Sequence, residues 1–200
     1  MPARVRLTLI VAFALLFAAI AGFVAFSGGQ ENVASTGRFD GSLRPPNLRA
    51  EPFDGLHDED GQPLSLARFH GQVVVVTFLY TTCKDTCPLT AQQIRGALDD
   101  LGTDVPVVAV SVDPANDDPA RAKRFLVEQQ MIGRMHFALG DRSALQRQWS
   151  AYGIAPQRDG REHSAYVVLV DGSGMQRVGW PVDRLTPEGL AHDIRALQRS

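Results

Sequence analysis

The chain of 200 residues is long enough for one domain with a buried core and too short for two comfortable ones. Its hydrophobic content of 44% and charged content of 21% are ordinary for a globular protein, and a pI near 6.2 gives no indication of nucleic-acid binding. Arg4 and Arg6 stand apart at the N-terminus. Without them 18 basic residues face 22 acidic ones, so the sequence predicts a mildly acidic domain behind a basic N-terminus.

An uncharged apolar stretch covers residues 7–26, in which Thr8 is the one clearly polar side chain. A helix of about 20 residues spans roughly 30 Å, the hydrocarbon thickness of a bilayer, so we expect a transmembrane anchor here. Residues 1–6 should stay in the cytoplasm, which places the body on the periplasmic side of the inner membrane; a mitochondrial intermembrane space is less favoured. A cleavable signal peptide is the alternative, since Ala19-Ile20-Ala21 has the form of a cleavage site.

The composition changes over residues 27–50, which are rich in Gly, Ser, Asn, Arg and Pro and include adjacent prolines at Pro45 and Pro46. Such a composition is typical of a linker, here one that carries the domain away from the membrane. The folded domain is then expected over residues 51–200, with residues 52–69 forming a β-rich extension at its start.

Strand and helix patterns alternate after residue 70. Continuous β-branched and aromatic runs predict strands that are buried on both faces, and apolar residues at helical spacing predict amphipathic helices. Asp118 before Pro119 supplies a helix cap and a first-turn proline, and Asp171-Gly172-Ser173-Gly174 predicts a hairpin turn. The predicted elements are strands at 72–80, 105–112, 164–170 and 175–180, and helices at 89–101, 119–130, 143–152 and 187–198.

This order of elements predicts an α/β fold with two parallel strands, an antiparallel pair and helices on the faces of the sheet. It is the thioredoxin-like arrangement of a mixed sheet flanked by helices, here with an N-terminal β-rich extension and one N-terminal transmembrane helix. Sites in α/β folds lie beyond the carboxyl ends of the parallel strands, so the segment after residues 72–80 is the first place to look for function.

The only two cysteines of the chain, Cys83 and Cys87, follow that first strand. Pro88 comes next and starts a helix, so a thiolate there would face free N–H groups and the positive end of the helix dipole, which lowers its pKa. His163 precedes the strand at 164–170. If that strand runs antiparallel to the first two, its start lies at the sheet edge where they end, and we expect Cys83, Cys87 and His163 to converge.

Two thiolates and one imidazole make a soft set of three metal ligands. Structural zinc takes four protein ligands, whereas a trigonal set of this kind suits Cu(I), so copper is the predicted metal. The same thiols could instead cycle between dithiol and disulfide. A purely structural disulfide is disfavoured, because a ring of about five residues gives only about 2 kcal/mol in the chain-entropy model.

The segment Tyr80-Thr81-Thr82-Cys83-Lys84-Asp85-Thr86-Cys87-Pro88-Leu89-Thr90 resembles the signature of the Sco/SenC family, exported thioredoxin-like proteins of cytochrome c oxidase assembly. The resemblance covers roughly residues 53–200 and includes the single N-terminal membrane helix. Lys84 is a departure, since the family commonly has proline after the first cysteine. Three further stretches are similar to the family: Ser111-Val112-Asp113-Pro114 with Asp117 and Asp118, Ala151-Tyr152-Gly153-Ile154, and the segment from His163 to Asp171.

The resemblance implies a copper-binding metallochaperone whose Cys83, Cys87 and His163 hold copper and help to metallate the binuclear CuA site of cytochrome c oxidase subunit II. A copper-donating chaperone or a thiol reductase is expected as a second partner. The main alternative is a thiol-disulfide oxidoreductase that reduces the CuA cysteines, with Cys83 and Cys87 as its catalytic pair. Generic thioredoxins have two residues between their cysteines and a cis-proline where this chain has His163 and Ser164, which favours the metal.

Overall fold

The computed structural model describes residues 37–155 and 166–200. The folded unit begins at Gly37, earlier than the predicted boundary at residue 51. The second half of the predicted linker belongs to the domain because its backbone pairs with the last strand and with the turn before it; the Ala50 N–H, for example, donates to the carbonyl oxygen of Gly174 in that turn over 2.9 Å. The predicted membrane span over residues 7–26 lies outside the described residues. Within the described part of the chain, no helix combines the length and the apolarity needed to cross a membrane.

A six-stranded mixed sheet forms the centre of the domain. Its strands are β1 (Ser42–Leu43), β2 (Val74–Leu79), β3 (Val107–Ser111), β4 (His136–Ala138), β5 (Tyr166–Val170) and β6 (Gln176–Pro181). Their spatial order is β1-β6-β5-β2-β3-β4. β2, β3 and β4 are parallel, while β5 is antiparallel to both β2 and β6, and β1 is antiparallel to β6. The four predicted strands are therefore confirmed within a mixed sheet.

Four α-helices connect and cover these strands, and each matches a predicted one. They are α1 (Thr86–Leu101), α2 (Pro119–Glu128), α3 (Arg142–Tyr152) and α4 (Pro187–Gln198). Capping side chains fix three of their starts: Asp118 accepts from the Arg121 N–H, Asp141 from the Ala144 N–H, and Thr186 from the Gly189 N–H. The α1 helix differs, because its N-cap residue Asp85 makes no capping hydrogen bond.

Two parts of the sheet and its extension differ from the sequence prediction. β1 and β4 were not predicted, since two and three residues are too few to carry a periodic pattern. Residues 52–69, predicted as a β-rich extension and all described, contain isolated β-bridges at His57 and a 3-10 helix (Leu66–Phe69) but no extended strand. The Asp58 side chain accepts from the N–H groups of Asp60 and Gln62, and this local turn ends the pairing.

Alternate side chains of the central strands enter two separate cores. On one face Val75, Leu79 and Val107 pack with α1, α2 and α4, and on the other Val76 and Phe78 pack with α3 and with apolar residues of the 50–64 segment. Burial on both faces explains the uninterrupted apolar runs of β2 and β3. The sheet flanked by helices is the thioredoxin-like fold, and it leaves the carboxyl ends of β2 and β3 as the place where polar residues collect.

Candidate metal centre

The two cysteines lie at the carboxyl end of the central strand β2. The chain leaves β2 at Leu79 and turns back on itself, with the Cys83 N–H donating to the Tyr80 carbonyl oxygen over 3.3 Å. Three residues later α1 begins, and Cys87 lies in its first turn. β5 runs antiparallel to β2, so the chain also enters β5 at this edge of the sheet.

The sulfur of Cys83 takes the place of a helix cap. The Cys87 N–H donates to Cys83 Sγ over 3.2 Å, at a helix start where Asp85 contributes no capping bond. The first turn of a helix leaves its N–H groups without intrahelical partners, and a thiolate acceptor satisfies one of them. Both cysteines are free thiols, with Cys83 half-buried and Cys87 fully buried.

The pKa values of the two thiols are shifted in opposite directions. Hydrogen bonding by the Cys87 thiol, followed by the N–H groups of Cys87 and Asp85, lowers the pKa of Cys83 to about 5, against the opposing effect of burial. The same hydrogen bond and burial raise the pKa of Cys87 far above its usual value, because Cys87 is the buried donor of the pair. The two shifts therefore favour a thiolate at the accessible Cys83 and a protonated thiol at Cys87.

A cavity of ≈ 640 Å³ opens beside Cys83 and brings solvent or a partner group to it. Its walls are the first turns of α1 and the residues that follow β6. Lys84 lies on this wall and contributes a cationic side chain to the lining. Also lining the cavity are Tyr80, Thr82, Asp85, Thr86, Leu89, Thr90, Gln93, Val182 and Asp183.

Asp117 reaches the cysteine loop from the turn that precedes α2. Its Oδ1 accepts from the Thr81 N–H over 2.8 Å and from the Thr81 hydroxyl over 2.6 Å, while its Oδ2 accepts from the Ser111 hydroxyl over 2.5 Å. Burial raises the pKa of Asp117. Of the two neighbouring acidic residues, Asp118 is a helix cap and Asp113 binds the Asn116 side chain, so among these three carboxylates only Asp117 contacts the cysteine loop.

Thr81 and Ser111 are site residues that the sequence reasoning did not identify as such. Both lie inside the stretches that resemble the family, but a hydroxyl next to a strand end is common and gave no separate signal. Their part becomes visible only when the structure brings Asp117 between them.

His163, the third predicted ligand, lies outside the described residues. Among the described residues, Asp40, His192 and Asp193 form the one group of three or more side chains with metal-binding atoms in mutual reach. The Nδ1 atom of His192 lies 3.1 Å from Asp193 Oδ1. The carboxylate of Asp193 is occupied by other donors, since it accepts from the N–H groups of Asp40 and Gly41 and from the Trp180 indole N–H, so this group serves the fold.

A family model described as SCO1/SenC matches residues 42–199. The chain belongs to the SCO1/SenC family. Among its relatives is the SCO1 protein homolog of Bacillus subtilis, which is 36% identical over 84 residues. That match covers 40% of this chain and 43% of the relative, so it spans less than half of the relative's length.

Solved SCO1/SenC structures share the fold over most of this chain. ScoI of Bradyrhizobium japonicum, solved with copper bound, is 26% identical with a TM-score of 0.59 and matches over 74% of this chain and 99% of its own. BsSco, in which a disulfide switch was identified, is a member of the Sco family of cytochrome c oxidase assembly proteins. It is 24% identical with a TM-score of 0.67, over 78% of this chain and 98% of its own.

Proposed function

We propose that this SCO1/SenC protein is a copper-binding metallochaperone that helps to assemble the CuA site of cytochrome c oxidase. Its ligands in this proposal are Cys83, Cys87 and His163. The observation that carries it is the paired thiols at the start of α1, one of them accessible and accepting the Cys87 N–H, beside a cavity that an incoming ligand can enter. Soft sulfur ligands of this kind select Cu(I).

Because the pKa of Cys83 is lowered and that of Cys87 is raised, we expect the two cysteines to bind copper one after the other, with Cys83 first. Cys83 is the accessible thiolate and is the first ligand that an incoming copper ion meets. Cys87 carries a proton at neutral pH, and its coordination requires that this proton be released. We therefore expect about one proton to leave for each copper bound near pH 7, because Cys83 has none to give.

His163 is proposed as the ligand that completes a trigonal Cys₂His set. Support comes from its position three residues before the described start of β5, because β5 is antiparallel to β2 and enters the sheet at the edge where β2 ends. An imidazole is a suitable third ligand for copper, and two thiolates with one imidazole leave no requirement for a fourth protein ligand.

The proposed setting is the inner membrane. Residues 7–26 would span it, with residues 1–6 in the cytoplasm and the domain on the periplasmic side, as the apolar stretch behind Arg4 and Arg6 favours. The proposed client is cytochrome c oxidase subunit II. A copper-donating chaperone, or a thiol reductase that keeps Cys83 and Cys87 reduced, is the proposed upstream partner.

A second function, thiol-disulfide oxidoreductase, is favoured by the difference between the two cysteines, since Cys83 is half-buried with a lowered pKa and Cys87 is fully buried. Cys83 would attack a disulfide formed by the CuA cysteines and become joined to one of them, releasing the other as a thiolate. Cys87 would then lose its proton and attack Cys83 Sγ, which releases the second CuA cysteine and leaves a Cys83–Cys87 disulfide. The client gains the two electrons that the pair loses.

An anaerobic Cu(I) titration of the reduced full-length chain in detergent, against a competing chelator of known affinity, tests the main proposal. We expect tight one-to-one binding that is lost in Cys83→Ser and Cys87→Ser. His163→Ala should weaken it by more than about 10-fold, since even changes outside the ligand shell cost about 10- to 100-fold. His70→Ala, an exposed histidine away from the cavity, is the matched control and should bind as the wild type does.

Two results would contradict this proposal. Wild-type binding no tighter than that of Cys83→Ser would remove the copper site and leave the oxidoreductase as the better interpretation. Binding that is equal in His163→Ala and His70→Ala would remove His163 from the ligand set.

A further inference from the structure

The carboxylate of Asp117 joins three segments that are distant in the chain. Its Oδ1 accepts both the N–H and the hydroxyl of Thr81, which follows β2, and its Oδ2 accepts the hydroxyl of Ser111, the last residue of β3. Asp117 itself is held by its own N–H, which donates to the Asp113 carbonyl oxygen over 2.9 Å. The carboxylate therefore has three donors and no freedom to turn away from the loop.

The far end of this connection is anchored in the buried core. The Ser111 carbonyl oxygen accepts from the indole N–H of Trp149 over 2.9 Å, and Trp149 is fully buried against the sheet. A continuous set of hydrogen bonds thus leads from α3 through Ser111 and Asp117 to Thr81. Such a set transmits the rigidity of the core to a loop that otherwise lies at the surface.

Thr81 is the second residue of the turn that presents Cys83. The backbone closure of that turn is a hydrogen bond of 3.3 Å from the Cys83 N–H to the Tyr80 carbonyl oxygen, which is long for a bond of this type. The two bonds from Thr81 to Asp117 are shorter, at 2.8 and 2.6 Å. The position of the turn therefore depends more on Asp117 than on its own backbone closure.

We propose that Asp117 is a positioning residue, which acts through Thr81 to hold the Cys83 sulfur within bonding reach of Cys87. It touches neither sulfur in this role. This effect of Asp117 on the distance between the two sulfurs does not depend on the proposed function. An effect of Asp117 on copper affinity does rest on that function. Without the carboxylate the turn can move, so the sulfurs of Cys83 and Cys87 are within bonding distance for a smaller fraction of the time.

Substituting Asp117 with asparagine and with alanine distinguishes the effect of its hydrogen bonds from the effect of its negative charge. In Asp117→Asn the amide oxygen can still accept from Thr81, and the amide NH₂ group can donate to the Ser111 hydroxyl, which is also an acceptor. Asp117→Ala keeps none of these bonds. A positioning role therefore predicts that asparagine rescues what alanine loses.

The first experiment equilibrates the full-length chain with glutathione buffers and measures the fraction of Cys83–Cys87 disulfide. One oxidised glutathione accepts two electrons from the protein dithiol and yields two reduced glutathione molecules. We expect the equilibrium constant for disulfide formation to fall about 10-fold or more in Asp117→Ala, because misplacement by about 1 Å has effects of up to about 100-fold on reactions between positioned groups. Asp117→Asn should stay within about threefold of the wild type by the same reasoning.

Asp193→Asn is the control, since the Asp193 carboxylate likewise accepts several hydrogen bonds, from the N–H groups of Asp40 and Gly41 and from the Trp180 indole N–H, and none of these residues lines the cavity at Cys83. It should leave the glutathione equilibrium within about threefold of the wild type even where it lowers stability as much as Asp117→Ala does. An equal fall in Asp193→Asn, or an unchanged equilibrium in Asp117→Ala, would overturn the proposal.

Thr81→Val provides the second variant, because it removes one of the two bonds to Asp117 and keeps the backbone N–H. If Asp117→Ala fails to fold by circular dichroism, a fall of about threefold or more in Thr81→Val carries the same conclusion, and no fall refutes it. Cu(I) titration of the same variants is the second readout. A wild-type chain that binds no copper would defeat the proposed function alone, since the glutathione equilibrium still decides the role of Asp117.

Discussion

Cys83 is expected to react as a thiolate at pH values where an ordinary cysteine is protonated. Hydrogen bonding from Cys87 lowers its pKa to about 5, whereas an unperturbed cysteine titrates near about 8.5. Because the pKa is lower in the folded state, the fold favours the thiolate between these two values, and this preference is lost as the pH falls through about 5. The pH dependence of its reactivity therefore tests the hydrogen bonds around the sulfur.

The magnitude follows from two opposing effects. At pH 5 about half of Cys83 is thiolate, against about 0.03% of an ordinary cysteine, a ratio of roughly 1,600. A thiolate of lower pKa is a weaker nucleophile, and a Brønsted coefficient of about 0.45 over a pKa difference of about 3.5 reduces its rate roughly 40-fold. Cys83 should therefore attack a disulfide about 40-fold faster than free cysteine at pH 5, and at nearly the same rate at pH 7.

The assay mixes the reduced full-length chain with excess 4,4′-dithiodipyridine under anaerobic conditions between pH 4 and pH 8. The absorbance of the first thiopyridone released gives the rate of attack by Cys83, since Cys87 is fully buried. Cys83→Ser should lose this fast phase. The reasoning would be refuted by a rate that falls about tenfold for every pH unit below 8, because that is the behaviour of an ordinary thiol.

Two further predictions concern contacts that hold the domain together away from the cavity at Cys83. Asp193→Ala leaves the N–H groups of Asp40 and Gly41 and the Trp180 indole N–H unpaired, so urea titration should show a free energy of unfolding lower by at least about 3 kcal/mol; a loss below about 1 kcal/mol would mean that water replaces the carboxylate. Gly172→Ala would place a Cβ 2.8 Å from a backbone carbon of Gly71, so it should lower stability by about 1–3 kcal/mol and reduce Tm by several degrees. An unchanged Tm in thermal denaturation would show that the neighbouring turn moves aside at little cost.

The long elements of the fold could be predicted because their signals are local. β2 and β3 are continuous β-branched runs, and α2 and α4 begin at a capping residue followed by proline. The two- and three-residue strands β1 and β4 have no such signal, since they exist only through their pairing with β6 and β3. The domain boundary was misplaced for the same reason, because residues 37–50 have the composition of a linker but backbone partners in the hairpin.

The sequence by itself determined the chemistry that is available: two cysteines four positions apart at the start of a helix, with a histidine before a later strand. Only the tertiary structure decided how the two thiols differ, with Cys83 accessible and accepting hydrogen bonds and Cys87 buried and donating one. It alone also brought Asp117 to Thr81 across 36 positions of the chain. Burial and hydrogen bonding between distant segments depend on how the sheet and helices pack, and no pattern within a short window of sequence records that packing.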